Sequence, residues 1–328
     1  MNYVILGSNG FSGSHLVDAL LADPSNRVVG ISRSSEKAAL YLPYRARNSG
    51  SFWFHQCDIV RDFPSLLRVL DRIRPECIVN YAALIEVYQS SLTPVEYFET
   101  NTLAVVRLCD ELRKRDYLKG FVQISSAEIY GSCDEPVDES TAPRPTTAYA
   151  ASKAAADAFL LTLFKHHSFP VIIIRSTNVY GKHQQLYKII PRAIIRLTQG
   201  KKVELHDGGR FIRPFVHIRD ACRGVLKAIE RGTPGSIYHF SPDSNRSVAE
   251  VVRKICERMG RDFHEWTVSV EERTGHDLRY WLDCSKAATE LGWHPQIPFE
   301  EGLDEVIRWI EDNWEEVSKE PQAYVHRI

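Results

Sequence analysis

Two short stretches of this sequence hold the residue types needed for chemistry at an alcohol carbon. The first is Ser125-Ser126-Ala127-Glu128-Ile129-Tyr130-Gly131, which ends an apolar run with a hydroxyl and a carboxylate two residues apart. The second is Tyr149-Ala-Ala-Ser-Lys153. Residues four apart on a helix share a face, so the phenol and the ammonium are neighbours. The ammonium favours phenolate and is expected to lower the phenol's pKa. A phenolate can take an alcohol proton while the carbon gives up a hydride. Ser126 can hydrogen-bond the same oxygen, and Glu128 can remove a proton beside the new ketone.

The elements before these stretches look built to hold a dinucleotide. Residues 3–6 are a short apolar strand, followed by Gly7-Ser-Asn-Gly10-Phe11-Ser-Gly13 and then a helical apolar pattern. Glycines so spaced allow a tight turn, close approach to a pyrophosphate, and packing of helix on strand. The helix N-terminus adds N–H donors and a positive dipole end. A second strand at 27–31 ends in Ser32-Arg33-Ser34-Ser35, where an acid would otherwise bind the ribose 2′-hydroxyl of NAD. A guanidinium with hydroxyls suits a 2′-phosphate, so NADP is expected, with NAD as the alternative.

A third strand, 52–57, ends at Asp58-Ile59; Asp58 can accept from adenine or cap the helix expected at 62–73. A fourth, 77–81, runs into Ala82-Ala83, small enough for a cofactor to lie across the strand ends. A helix at 94–115 carries Asn101, grouped here with the cofactor residues. A strand at 120–125 delivers the Ser126 stretch, a helix at 147–167 carries Tyr149 and Lys153, and a strand follows at 170–174. Strands alternating with helices predict a Rossmann-type, doubly wound parallel sheet with its ligand crevice at the strands' carboxyl ends.

After residue 180 the rhythm becomes mixed, with helices at 188–199, 221–231, 247–259 and 300–314 and short strands near 203–206 and 236–240. The expected division is a dinucleotide-binding unit of residues 1–180 with about 214–240, and a smaller mixed α/β substrate unit of 181–213 and 241–328. Trp309 and Trp314 are expected to pack. The tail from about 318 is expected to be mobile. Arg213, beside Pro214, and Arg273 offer forks for a diphosphate.

The 328 residues can bury a large core, and 44% hydrophobic with 25% charged residues is ordinary for a soluble globular protein. A net charge of −1 gives no field that would favour nucleic acid or a membrane surface. Seven scattered cysteines without a C-x-x-C pair read as reduced thiols in a cytoplasmic protein. No leader peptide or membrane span is expected, and no cluster has metal-ligand spacing, so no metal site is expected.

Taken together, Gly7-x-x-Gly10-Phe-x-Gly13, Tyr149-x-x-x-Lys153, Asn178-Val-Tyr-Gly181, Arg213-Pro-Phe-Val-His-Ile-Arg-Asp220 and Gly275-His-Asp-Leu-Arg-Tyr resemble the extended short-chain dehydrogenases/reductases that act on nucleotide sugars. The pattern is most similar to the dTDP-glucose and GDP-mannose 4,6-dehydratases. That resemblance implies oxidation at sugar carbon 4, removal of the carbon-5 proton, loss of the 6-hydroxyl as water, and hydride return to carbon 6. It implies Tyr149 as base, Lys153 tuning it and holding the nicotinamide ribose, Ser126 on the carbon-4 oxygen and Glu128 on the carbon-5 proton. Asn178, Lys188, His206, Arg213, Arg273 and His276 fall where the nucleotide diphosphate or its base is contacted. The resemblance further implies a homodimer formed through the helices at 94–115 and 147–167.

Two departures stand out. Ala127 occupies the place where dTDP-glucose dehydratases carry an acid for the leaving water. The loop Leu84-Ile85-Glu86-Val87-Tyr88 replaces the usual Ser-His-Val, putting Glu86 near the sugar. The alternatives are therefore a UDP-glucuronate decarboxylase-like enzyme, a 4-epimerase or a 5,6-dehydratase. A non-catalytic dinucleotide-binding protein is disfavoured by Ser126, Tyr149 and Lys153 occurring together.

Overall fold

The structure is a computed structural model and describes residues 1–47, 50–271 and 277–326. Its frame is a seven-stranded sheet in the order β10-β6-β5-β4-β1-β2-β3, with every pairing parallel. The strands are β1 (Asn2–Leu6), β2 (Arg27–Ser32), β3 (Phe52–Gln56), β4 (Cys77–Asn80), β5 (Gly120–Ile124), β6 (Val171–Ser176) and β10 (Ile237–Phe240). Helices α1 (Phe11–Leu20), α2 (Phe63–Ile73), α3 (Val87–Leu92), α4 (Pro94–Phe98), α5 (Ala104–Leu112) and α6 (Ala148–His167) connect them up to β6. All four residues of β4 are buried, as a strand covered on both faces requires. One core, around Leu16, Val17, Ile5 and Tyr238, lies on one side of the sheet. The other, around Leu66, Leu108, Leu160 and Ile173, lies opposite.

The rest of the chain forms α7 (Ile189–Thr198), α8 (Ile218–Arg231), α9 (Val248–Arg258), α10 (Phe263–Trp266), α11 (Ser285–Leu291), α12 (Phe299–Asp312) and α13 (Trp314–Val317). Two parallel strand pairs join them: β7 (Asn178–Tyr180) with β9 (Phe215–His217), and β8 (Val203–His206) with β11 (Thr267–Val270). Helices α7, α9 and α12 bury their own core of Ile194, Val252, Leu303 and Trp309, with Trp314 packed against it. Helices α8 and α11 return to the large sheet, through Cys222, Val225 and Leu291. The predicted helix and strand rhythm is therefore present, including the seventh strand at the sheet edge.

Two expectations change. The single helix expected over 94–115 is α4 and α5 joined by a π-helical turn, Glu99–Leu103, with Pro94 at the start. The extra residue per turn points Asn101 inward, where it is 1% exposed. The tail expected to be mobile is laid against the body instead. The Tyr41 hydroxyl donates to Glu320 at 3.1 Å, and His326 meets Glu96 at 2.7 Å.

Candidate active site

A cleft of about 350 Å³ opens at the carboxyl ends of β1, β4 and β5. Its wall includes the glycine loop Gly10–Gly13, Ser126, Glu128, Tyr149 and Lys153, and Asn178 and Lys188. The sheet thus gathers the four expected catalytic residues on the wall of one cavity.

The glycine loop makes a cradle that only glycine allows. Gly7 has φ +80°, and a Cβ there would stand 2.8 Å from the Ala82 nitrogen. A Cβ on Gly13 would stand 2.4 Å from the Gly7 carbonyl oxygen. Helix α1 begins at Phe11 with no acidic residue in its first turn, so its dipole is free to meet phosphate. Ala83 lines the cleft. The Ala82 N–H is held by the Asn80 side chain at 3.1 Å. These residues fit a dinucleotide.

Other cofactor residues take supporting positions. Asn101 donates to the Leu84 carbonyl and to Ser152 Oγ, both at 3.0 Å, and accepts from the Leu84 N–H at 2.8 Å. It fixes the loop after β4 to α6 one residue from Lys153. Asp58 Oδ1 accepts from the Val60 and Arg61 N–H groups in the turn before α2, whose N-cap is Asp62, so it does not cap that helix as the sequence suggested; Ile59 packs into the core beside it. At the end of β2, Ser32 Oγ accepts from the Asn9 N–H at 3.0 Å, and Ser34 Oγ accepts from the Asn9 amide at 3.2 Å. Hydroxyls assigned to a 2′-phosphate thus hold the glycine loop in place. Arg33 is exposed beside them.

Ser126 stands at the N-cap of the turn Ala127–Tyr130 and accepts from the Glu128 N–H at 3.2 Å. Thr147 caps α6 in the same way, from which Tyr149 and Lys153 project into the cleft. Burial, then the Glu128 carboxylate, pushes the Tyr149 phenol above its ordinary value, while the Ser126 hydroxyl bonded to it acts in the opposite sense. The expected depression by Lys153 is absent. The Lys153 ammonium donates instead to the Ile124 carbonyl at 2.6 Å. Burial lowers Lys153 to about 8, opposed by Asp157. Glu128 is pushed up to about 7 by burial, with Arg213 and Lys188 pulling down and Asp277 and Glu86 adding to the rise. Its Oε2 is buried without a hydrogen-bond partner among the described residues. A carboxyl poised there can both take and give a proton near neutrality.

The substrate residues divide. Glu86 and Lys188 form an ion pair at the cleft, joined by the Tyr97 hydroxyl on the Glu86 carbonyl at 2.6 Å. Asn178 is on β7, exposed, on the cleft wall. The Arg213 guanidinium sits over the Tyr280 ring, 4.4 Å from its centroid, and donates to the carbonyls of Ile212, Asp277 and Leu278. His206, at the end of β8, bonds the Glu271 carbonyl through Nδ1 at 2.9 Å and is not part of the cleft wall. Arg273 and His276 lie outside the described residues. Ala127 is 1% exposed and packs with Ile129, Cys133 and Tyr280. Residue-by-residue reading missed Tyr280, whose ring lines the cleft and whose hydroxyl donates to the buried Asp277. The Asp-Leu-Arg-Tyr run held both residues.

Residues 3–240 match the model of the NAD dependent epimerase/dehydratase family. The chain is 30% identical to the dTDP-D-glucose 4,6-dehydratase of Homo sapiens over 96% of its length and 92% of the relative's. It is 31% identical to a dTDP-glucose 4,6-dehydratase of Streptomyces antibioticus, covering 98% of this chain and 96% of the other. The solved structure of DesIV, a dTDP-glucose 4,6-dehydratase from Streptomyces venezuelae with NAD and TYD bound, superposes with a TM-score of 0.87 at 31% identity, covering 95% of this chain and 98% of that one. With a glycine cradle, a Ser-Tyr-Lys set and a half-buried glutamate in one cleft, this chain belongs to the NAD dependent epimerase/dehydratase family.

Proposed function

We propose that the protein is a nucleotide-sugar 4,6-dehydratase that converts a nucleoside diphosphate hexose to its 4-keto-6-deoxy form. The observation that carries this is Glu128: half-buried, with Oε2 buried and unpartnered among the described residues, raised to about 7, and set in the same cleft as Tyr149. A simple epimerase has no use for a carboxyl so placed. The dTDP-glucose 4,6-dehydratase relatives support the same reading.

Gly7, Gly10, Phe11, Gly13, Ala82 and Ala83 hold the dinucleotide. When bound, it supplies a hydride acceptor for carbon 4 and a hydride donor for carbon 6, and its oxidised ring carries a positive charge that favours the Tyr149 phenolate. Tyr149 takes the carbon-4 hydroxyl proton, and Ser126 fixes that oxygen. Glu128 takes the proton from carbon 5. The adjacent acid position being Ala127, Glu128 passes its proton to the departing 6-hydroxyl, which leaves as water. Tyr149 releases the 4-hydroxyl proton to solvent, and Glu128, reprotonated from solvent, returns one proton to carbon 5, which completes the balance. The cofactor is NAD: the DesIV structure carries NAD, and the Ser32 and Ser34 hydroxyls hold Asn9. Asn178, Lys188 and Arg213 face the nucleotide diphosphate.

The division into a dinucleotide unit and a substrate unit is supported by the separate core of α7, α9 and α12, although Leu291 and Trp293 of the second unit pack into the core of the large sheet. Leu92, Val95, Phe98 and Leu103 are exposed on neighbouring turns of α3 to α5, and a second copy of the chain covers them. Six of seven cysteines are buried and none is bridged, which fits the reducing cytoplasm. Light scattering at twice the chain mass checks the dimer.

A second reading has one observation behind it. The Glu86–Lys188 pair removes the net negative charge of the sugar loop, so a sugar carboxylate could be accommodated opposite Ala127. Incubation with dTDP-glucose and with UDP-glucuronate separates the two. The dehydratase reading expects loss of water from the first; loss of carbon dioxide from the second alone would replace it.

A further inference from the structure

The reacting side chains come from two elements far apart in the chain, the turn Ser125–Tyr130 and the helix α6. Behind the turn lies the ion pair Asp157–Arg175, with side chains 2% and 3% exposed and no part in the cleft wall. Asp157 is four residues after Lys153 on α6, and Arg175 is on β6, the strand paired with β5. Asp157 Oδ2 accepts from Arg175 Nε at 3.0 Å and from the Ser125 hydroxyl at 2.8 Å. Arg175 Nη1 donates to the Tyr130 hydroxyl at 2.5 Å, and that hydroxyl lies 2.7 Å from His239 Nε2 on β10. The turn is therefore tied at its first and last residues to a single ion pair. Ser126 and Glu128 lie between the ties.

We infer that Asp157 and Arg175 are positioning residues that set Ser126 and Glu128 against Tyr149 and Lys153. The inference rests on those four being the reacting groups. An apolar pair could fill the same space, since buried ion pairs contribute little net stability compared with well-packed apolar substitutes. Apolar packing is not directional, however. One carboxylate oxygen and one planar guanidinium fix angles among α6, β6 and both ends of the turn at once. Such a support preorganises the reacting groups, for which a displacement of about 1 Å can cost about 10²-fold in rate.

The test uses the full-length enzyme with its cofactor. Asp157→Asn keeps the shape and removes the charge. It is expected to lower kcat about 10²-fold with KM for the nucleotide sugar nearly unchanged. The amide hydrogens of residues 126–131 should exchange faster, while those of β1 and β4 keep their rates. Ser125→Ala and Tyr130→Phe leave the ion pair intact and release one end each. Each should lower kcat by about tenfold, the equivalent of one hydrogen bond, and speed exchange at its own end. These two variants decide the matter if Asp157→Asn does not fold. Unchanged kcat per folded molecule, or unchanged exchange at 126–131, would overturn the inference. The exchange measurement needs no turnover. If the wild-type protein converted no nucleotide sugar, the proposed function would fail while the tie between the pair and the turn would still be decided.

Discussion

The two walls of the cleft are built differently. On the catalytic wall, Ser126, Tyr149 and Lys153 are 7%, 7% and 3% exposed, and the turn that carries Ser126 is tied to a buried ion pair. On the substrate wall, the Glu86–Lys188 pair keeps 22% and 31% of its side chains exposed, and Asn178 is open to solvent. Charge in the first region is shielded from water and fixed by bonds to the main frame. Charge in the second is partly screened, and its partners can be exchanged for a ligand. Proton transfer needs fixed geometry and shifted pKa values, whereas recognition of a diphosphate needs cations that can give up one partner for another.

Substitutions on the two walls should therefore have different kinetic signatures. The largest effect is expected for Tyr149→Phe, with kcat down by about 10³–10⁴ and affinity for a nucleoside diphosphate unchanged by calorimetry. Glu128→Gln should follow, at about 10²–10³. It should leave the oxidation step working, so reduced cofactor builds up and can be followed by its absorbance. A variant that turned over normally would remove Glu128 from the chemistry. On the substrate wall, Lys188→Met should raise KM about tenfold with kcat nearly unchanged, as for one charge-assisted hydrogen bond.

The pH dependence sharpens the contrast. Glu128 at about 7 must be ionised to act as base, so kcat should rise with pH through that value. Lys153 at about 8 must stay charged to hold the nicotinamide ribose, so kcat should fall above it. The alkaline limb should persist in Glu128→Gln and the acid limb should vanish. The smallest effect is on stability. Glu128 is protonated in the fold up to about 7, against its ordinary 4.5, so its ionisation destabilises the native state above the ordinary value and most fully above 7. Glu128→Gln should then melt a few degrees higher than wild type at pH 8, and no higher near pH 4.

Much of the catalytic wall was legible in the sequence because local rules fix it. A strand, a glycine turn and a helix in immediate succession leave one place for Gly7, Gly10 and Gly13. Tyr149 and Lys153 share a face by helix geometry alone. What connects these parts was not legible. Asp157 reads as one more polar residue on an alanine-rich helix, and Arg175 as the end of an apolar strand. They meet only because β6 pairs with β5 beneath α6. Asn101 was recognised, but its role as a clamp depends on a π-helical turn that no periodicity announces. The proposed cofactor moves from NADP to the NAD alternative for a similar reason. The hydroxyls after β2 were counted as free, whereas Asn9 from the glycine loop reaches across to them. Side-chain hydrogen bonds between distant segments are set by tertiary packing, and sequence spacing does not encode them.

The most direct test of the account is to run the reaction with dTDP-glucose in deuterated water and weigh the product. A 4,6-dehydratase in which Glu128 exchanges the carbon-5 proton should give a product lighter by one water, carrying one solvent deuterium at carbon 5. The hydrogen originally on carbon 4 should appear at carbon 6. A product of unchanged mass, or one formed with loss of carbon dioxide, would contradict the assignment.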